Sequence, residues 1–133
     1  MKKTIMLFAG TTEGRRICEF LAVKKCITHV YVTTEYGKEL LPGQDNVHIH
    51  VGKMDEKQMS DEIKAIHPDI VIDATHPYAT QVTHNIKEAC DSRHIFYVRV
   101  LREENTVEAG NNADNIISVS YTHLRAHETP EHL

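Results

Sequence analysis

Thr4-Ile5-Met6-Leu7-Phe8-Ala9, followed at once by Gly10-Thr11-Thr12-Glu13-Gly14, is the stretch that decides the fold. An uncharged, mostly apolar run of this length describes a strand buried on both faces, as a parallel sheet requires. Gly10 ends the run. Ile17, Phe20 and Leu21 then recur at i, i+3 and i+4, which predicts a helix over about 12–24. A strand, a glycine turn and a helix in that order open a β-α-β unit.

The alternation continues downstream. Residues 28–34 (THVYVTT) are β-branched and aromatic and predict a second strand. Residues 36–41 have room for one or two helical turns before Pro42-Gly43 stops them, and 47–51 form a short third strand. Asp55 and Gln58 have capping-box spacing, with Met54 and Met59 as a hydrophobic staple. The helix they start buries Met59, Ile63 and Ile66 and closes at Pro68. Residues 69–73 (DIVID) are the fourth strand, Pro77 stands where a first helical residue belongs, and 95–101 (IFYVRVL) are the fifth strand. Strands alternating with helices give an α/β fold: a Rossmann-like, doubly wound, mainly parallel five-stranded sheet of order 3-2-1-4-5. In that order the loops 10–14 and 73–78 face each other where the winding reverses.

Composition removes other classes. The chain has 133 residues, room for one domain. Its net charge is −4: residues 1–101 hold 13 basic and 13 acidic side chains, and 102–133 hold 2 and 6. No basic patch points to nucleic acid. No apolar run approaches the ~18 residues of a membrane span, and the apolar stretch 5–9 is too short for a signal-peptide core. Cys18, Cys26 and Cys90 lack CxxC spacing and are expected to be reduced, mostly buried thiols of a cytoplasmic protein. His48 and His50 share a strand face without a third ligand, and His123 and His127 lack the Glu of a zinc-protease helix, so no metal site is expected.

The two facing loops carry the candidate chemistry. Gly10 allows a tight turn, and the N–H groups of Thr11, Thr12 and Glu13 open a helix, a geometry suited to a pyrophosphate. The glycine fingerprint is incomplete: with Gly10 at its central position, Phe8 and Glu13 fall on the flanking ones. A plain strand-to-helix turn with hydroxyl caps answers to the same residues. The second loop places Asp73, Thr75, His76 and Tyr78 within six positions, and His76 before Pro77 is pushed out of helical geometry toward the cleft rim. Glu35, just past the second strand, stands where an acid bonds an adenosine ribose, which favours NADH; Thr33, Thr34 and Lys38 suit the extra phosphate of NADPH if Glu35 turns away.

With these loops placed, the chain resembles the precorrin-6A reductases of cobalamin biosynthesis, the cobalt-precorrin-6A branch included. The matching stretches are Gly10-Thr11-Thr12-Glu13-Gly14-Arg15, Thr34-Glu35-Tyr36-Gly37, Gly52-Lys53-Met54-Asp55, Asp73-Ala74-Thr75-His76-Pro77-Tyr78-Ala79 and Arg99-Val100-Leu101-Arg102-Glu103. The resemblance implies a reductase passing a hydride from NADH or NADPH to one double bond of a corrinoid precursor. It implies Gly10, Thr11, Thr12 and Glu13 at the pyrophosphate, Thr34 and Glu35 at the ribose, and Thr75, His76 and Tyr78 near the nicotinamide. His76, Tyr78 or water would give the proton. Lys53, Arg99 and Arg102 would meet the carboxylates of the tetrapyrrole.

Members of that family are about twice as long, with a second α/β domain over the cofactor. The expected division is therefore a dinucleotide-binding domain over 1–104, the start of a truncated second domain or linker over 105–117, and a tail over 118–133. That tail (SVSYTHLRAHETPEHL) looks like translated sequencing-adapter read-through and is expected to be non-native. As a fragment, the chain is expected to bind cofactor weakly and to turn over no substrate. Two alternatives stand beside this reading, a different Rossmann oxidoreductase and, from another class, a non-catalytic module. A short-chain-type oxidoreductase lacks its Tyr-x-x-x-Lys pair, since Leu40 and Val82 follow Tyr36 and Tyr78 at that spacing. A non-catalytic dinucleotide-sensing module would use the same loops.

Overall fold

The computed structural model describes residues 2–102 and the backbone of 116–119. Its elements are β1 (Lys3–Phe8), α1 (Thr12–Ala22), β2 (Cys26–Val32), α2 (Glu35–Glu39), β3 (Val47–Val51), α3 (Glu56–Ile66), β4 (Ile70–Asp73), α4 (Thr80–Ser92), β5 (Phe96–Arg102) and β6 (Ile116–Val119). All described strand pairs are parallel, in the order β3-β2-β1-β4-β5-β6. The first five strands take the order expected from the sequence. The sixth was not expected. It extends the sheet at the β5 edge, pairing Arg99 with Ile116 through to Arg102 with Val119, and it crosses the boundary placed after residue 117. Apart from the backbone of 118 and 119, the tail expected over 118–133 lies outside the described residues.

Side chains alternate across β1, so one strand feeds two cores. Met6 and Phe8 join Tyr31, Val71 and Tyr97 under α3 and α4, which contribute Met59, Ile63, Ile86 and Cys90. Leu7 and Ala9 join Val30, Val98 and Val100 under α1, which contributes Cys18 and Ala22. Helices on both faces account for strands that are apolar throughout. All three cysteines are free and buried. Among the described residues no helix is long and apolar enough to cross a membrane.

The capping box of α3 forms in full. Asp55 accepts from the Gln58 N–H at 2.7 Å, and the Gln58 side chain accepts from the Asp55 N–H at 2.9 Å. At α4 the expectation fails. Pro77 is not its first residue; the helix starts at Thr80, because the Ala79 N–H closes a turn onto the His76 carbonyl at 2.9 Å. That turn keeps His76 and Pro77 at the end of the sheet.

Candidate functional site

A cleft of about 590 Å³ opens where β1 and β4 lie side by side and their connections leave in opposite directions. Its volume falls in the ordinary range for small-molecule sites. The loop after β1 forms one wall. Gly10 has a φ of +131°, a left-handed value that L side chains rarely adopt, and nothing lies within 4 Å of the position a Cβ would take. Thr11 caps α1: its hydroxyl accepts from the Gly14 N–H at 3.1 Å and donates to the Ala74 carbonyl at 2.7 Å. One side chain thereby ties together the two loops that flank the cleft. Thr12 and Glu13 begin the helix, where backbone N–H groups have no carbonyl one turn back.

Gly14 was not singled out from the sequence. A Cβ there would stand 2.8 Å from the Ala9 Cβ and 2.9 Å from its Cα, so α1 can approach the end of β1 only with glycine at this position. That is the role of the third glycine in a dinucleotide fingerprint. Counted back from Gly14, the other two fingerprint positions at i and i+2 fall on Ala9 and Thr11, while the open residue with positive φ is Gly10. The spacing was readable; Ala9 and Thr11 concealed it by standing at glycine positions.

The charges on the cleft walls are paired. Glu13 is buried, but the Arg102 guanidinium donates to it at 3.0 Å, which offsets the carboxylate within the first turn of α1. Arg15 also lines the cleft and stands 3.9 Å from the Glu19 carboxylate one turn on, so both arginines of the described lining are paired with an acid. Arg102 was expected at a substrate carboxylate; the structure gives it Glu13. Arg99 was expected there too, and this is corrected. It is buried at 6% exposure, does not line the cleft, and pairs with the fully buried Asp73 at 3.1 Å.

The cleft runs from the β2–α2 connection to the β4–α4 loop. Thr33, Thr34, Tyr36 and Gly37 line one end, and the Thr34 hydroxyl caps α2 by accepting from the Gly37 N–H at 3.0 Å. Glu35 begins α2, is exposed and does not line the cleft; the ribose role read for it is not matched by its position. Thr75, His76 and Pro77 line the other end. His76 Nδ1 accepts the Tyr78 backbone N–H at 3.1 Å, so the neutral ring carries its proton on Nε2. The Tyr78 ring is 83% exposed and outside the cleft, tilted beside His76 with centroids 5.2 Å apart. Lys53 is exposed beyond β3 and does not line the cleft either. The cleft therefore brings together Gly10, Thr11, Thr12, Glu13, Thr34, Thr75, His76 and Arg102 from the sequence-derived set. Tyr97, missed in the sequence, donates to Asp73 at 2.9 Å behind the loop. Among the described residues no group of three potential metal ligands converges.

A doubly wound parallel sheet with a cleft at its switch point defines the Rossmann-like class of domain. The model of the precorrin-6x reductase CbiJ/CobK family matches residues 4–126, and the chain belongs to that family. It is 29% identical over 99 residues to the cobalt-precorrin-6A reductase of Synechocystis sp., covering 74% of this chain and 38% of that protein. The chain spans between 34% and 45% of the length of the curated relatives it matches. Among solved structures, CobK precorrin-6A reductase superposes with a TM-score of 0.65 at 24% identity, covering 77% of this chain and 39% of that one. A short-chain dehydrogenase/reductase from Veillonella parvula, in complex with NADP, superposes at 0.60 with 13% identity over 77% of this chain and 48% of its own. At these identities the two structures speak to fold alone.

Proposed function

We propose that residues 1–104 form the dinucleotide-binding part of an NAD(P)H-dependent (cobalt-)precorrin-6A reductase, which saturates one double bond of a tetrapyrrole precursor in cobalamin biosynthesis. The observation that carries this reading is the switch-point cleft, bounded by the Gly10–Gly14 turn and the Thr75–Pro77 loop, in a chain of that family. The nicotinamide supplies the hydride when bound. Thr12 and Glu13 offer N–H donors to the pyrophosphate, and the open face of Gly10 lets the backbone approach it. Thr33, Thr34 and Tyr36 bound the ribose end, and Thr75 and His76 the nicotinamide end. With Nδ1 taken up by the Tyr78 N–H, the neutral His76 ring offers Nε2–H as a hydrogen-bond donor at the nicotinamide end, and we assign it to orient ligand there while water supplies the proton for the carbon next to the one reduced. Tyr78 contributes its backbone rather than its phenol. Free, buried thiols fit a cytoplasmic setting.

The test is titration of the chain with NADPH and with NADH, followed by dihydronicotinamide fluorescence. Both are expected to bind saturably, NADPH at least as tightly, because no carboxylate lines the ribose end among the described residues. Glu35→Ala is expected to leave the ratio of the two affinities unchanged. Absence of saturable binding by either overturns the reading.

A further inference from the structure

Asp73 and Arg99 are register partners on adjacent buried strands, β4 and β5, with 0% and 6% exposure. Opposite charges at such a place must satisfy each other, since neither reaches water. Their bonds extend past the pair. The two N–H groups of Arg99 Nη1 are shared among Asp73 Oδ1 at 3.1 Å, the Asp73 carbonyl at 3.2 Å, the Thr75 carbonyl at 3.0 Å and Thr75 Oγ1 at 3.3 Å. Arg99 Nη2 donates to the His76 carbonyl at 3.4 Å. The Asp73 carbonyl ends β4, and those of Thr75 and His76 belong to chain that has left the sheet, so the guanidinium supplies donors where the strand ladder no longer does. Asp73 in turn accepts from Tyr97 Oη at 2.9 Å, and from the Thr75 N–H at 3.1 Å and Oγ1 at 2.7 Å.

We propose that Asp73, Tyr97 and Arg99 are positioning residues for the cleft, a buried charged network that fixes where Thr75 and His76 stand against a bound dinucleotide. This deepens the cofactor reading above and rests on it. The donors around Asp73 are all oriented inward. Burial, then the Asp73 charge, pushes the Tyr97 phenol well above its usual range, so it stays a donor. The Thr75 proton is directed at Asp73, and Thr75 Oγ1 lies 3.3 Å from both Arg99 Nη1 and Thr83 Oγ1, so the network fixes the place of this residue on the cleft lining. Within the described cleft the network reaches the lining through Thr75 and His76, at the end opposite Thr33, Thr34 and Tyr36. Loosening it should weaken a ligand that spans the cleft and spare one that fills only the adenosine end.

The experiment compares NADPH with ADP as probes of the full chain carrying Tyr97→Phe or Arg99→Lys. Tyr97→Phe removes one donor and no charge; the expected result is about tenfold weaker NADPH binding with ADP affinity held within about twofold. Arg99→Lys should lose more, because an ammonium cannot fork to the carbonyls of 73, 75 and 76; if that variant does not fold, Tyr97→Phe decides. Equal weakening of both probes, or no change in either, marks a purely structural network and overturns the inference. A wild-type chain that binds ADP but not NADPH overturns it as well. Wild-type chain that binds neither probe overturns the cofactor reading, and this inference with it.

Discussion

A methyl group added at Gly14 would press on the Cα and Cβ of Ala9, both inside 3.0 Å, and Ala9 is buried just past β1 with its N–H on the Tyr31 carbonyl at 2.9 Å. Gly14→Ala is therefore expected to lower stability by about 1–3 kcal/mol, read as a shift in the urea midpoint at constant slope. Gly10 differs: space is open around it, and its φ of +131° is what a side chain would oppose. Gly10→Ala should strain the loop and put a methyl group at the cleft, so dinucleotide affinity should fall further than stability does. At this scale the sequence was only partly legible. Which loops matter could be read, because acids, hydroxyls and an imidazole crowd into a few positions. Where Glu35 and Arg99 point could not. A carboxylate after the second strand reads as a ribose ligand until α2 is seen to carry it outside the cleft. Arg99 reads as a free cation until its strand is counted: in IFYVRVL every neighbour is apolar, and an arginine buried there needs a buried acid, which DIVID supplies in register.

Elements were more legible than side-chain directions, because periodicity and caps are local. Asp55 and Gln58 stop the α3 N-terminus chemically; at α4, Pro77 only permits a helix start, and the turn onto the His76 carbonyl took precedence. His48 and His50 were read as ordinary strand residues, yet pairing β3 with β2 sets them against His29. The His29 ring stacks on both at about 5 Å, and its Nδ1 lies 3.0 Å from His50 Nε2. Burial first, then the charges of His50 and His48, lower the His29 pKa, with Glu62 opposing. A lowered histidine pKa means that the unfolded chain binds the proton more readily than the folded one. Stability is therefore expected to fall as pH drops from about 7.5 through the ordinary 6.5, and to level off once the folded ring is also protonated. His29→Phe keeps a ring in the stack and removes the titration. Melting temperatures at pH 7.5 and 5.5 should differ less in that variant than in wild type; an equal difference would place the sensitivity elsewhere.

For the whole molecule the question is what holds the fold together and what merely borders it. The three apolar clusters draw on residues between Ile5 and Val100, from both faces of a sheet whose central strand is β1. β6 joins through a short parallel ladder along Arg99–Arg102, and those partners include Arg102, which carries the ion pair to Glu13 in the cleft. A four-residue ladder on an edge strand adds modest stability, but here it also fixes the backbone of a cleft wall. Two truncations separate these roles. Removing 120–133 keeps β6; its apolar residues Tyr121, Leu124 and Leu133 form no continuous stripe, so the melting temperature is expected to hold. Removing 105–133 takes β6 away and frees the far edge of β5. The expected result is a fold that persists with a melting temperature lower by about 4–8 °C, the shift that ~1 kcal/mol produces in a domain of this size. NADPH affinity should drop in the same variant, because Arg102 and Glu13 lose the support of the outer strand. If removing 105–133 changed neither stability nor binding, β6 would be an ornament on the sheet; a collapse of both on removing 120–133 would mean that the chain past Val119 belongs to the domain.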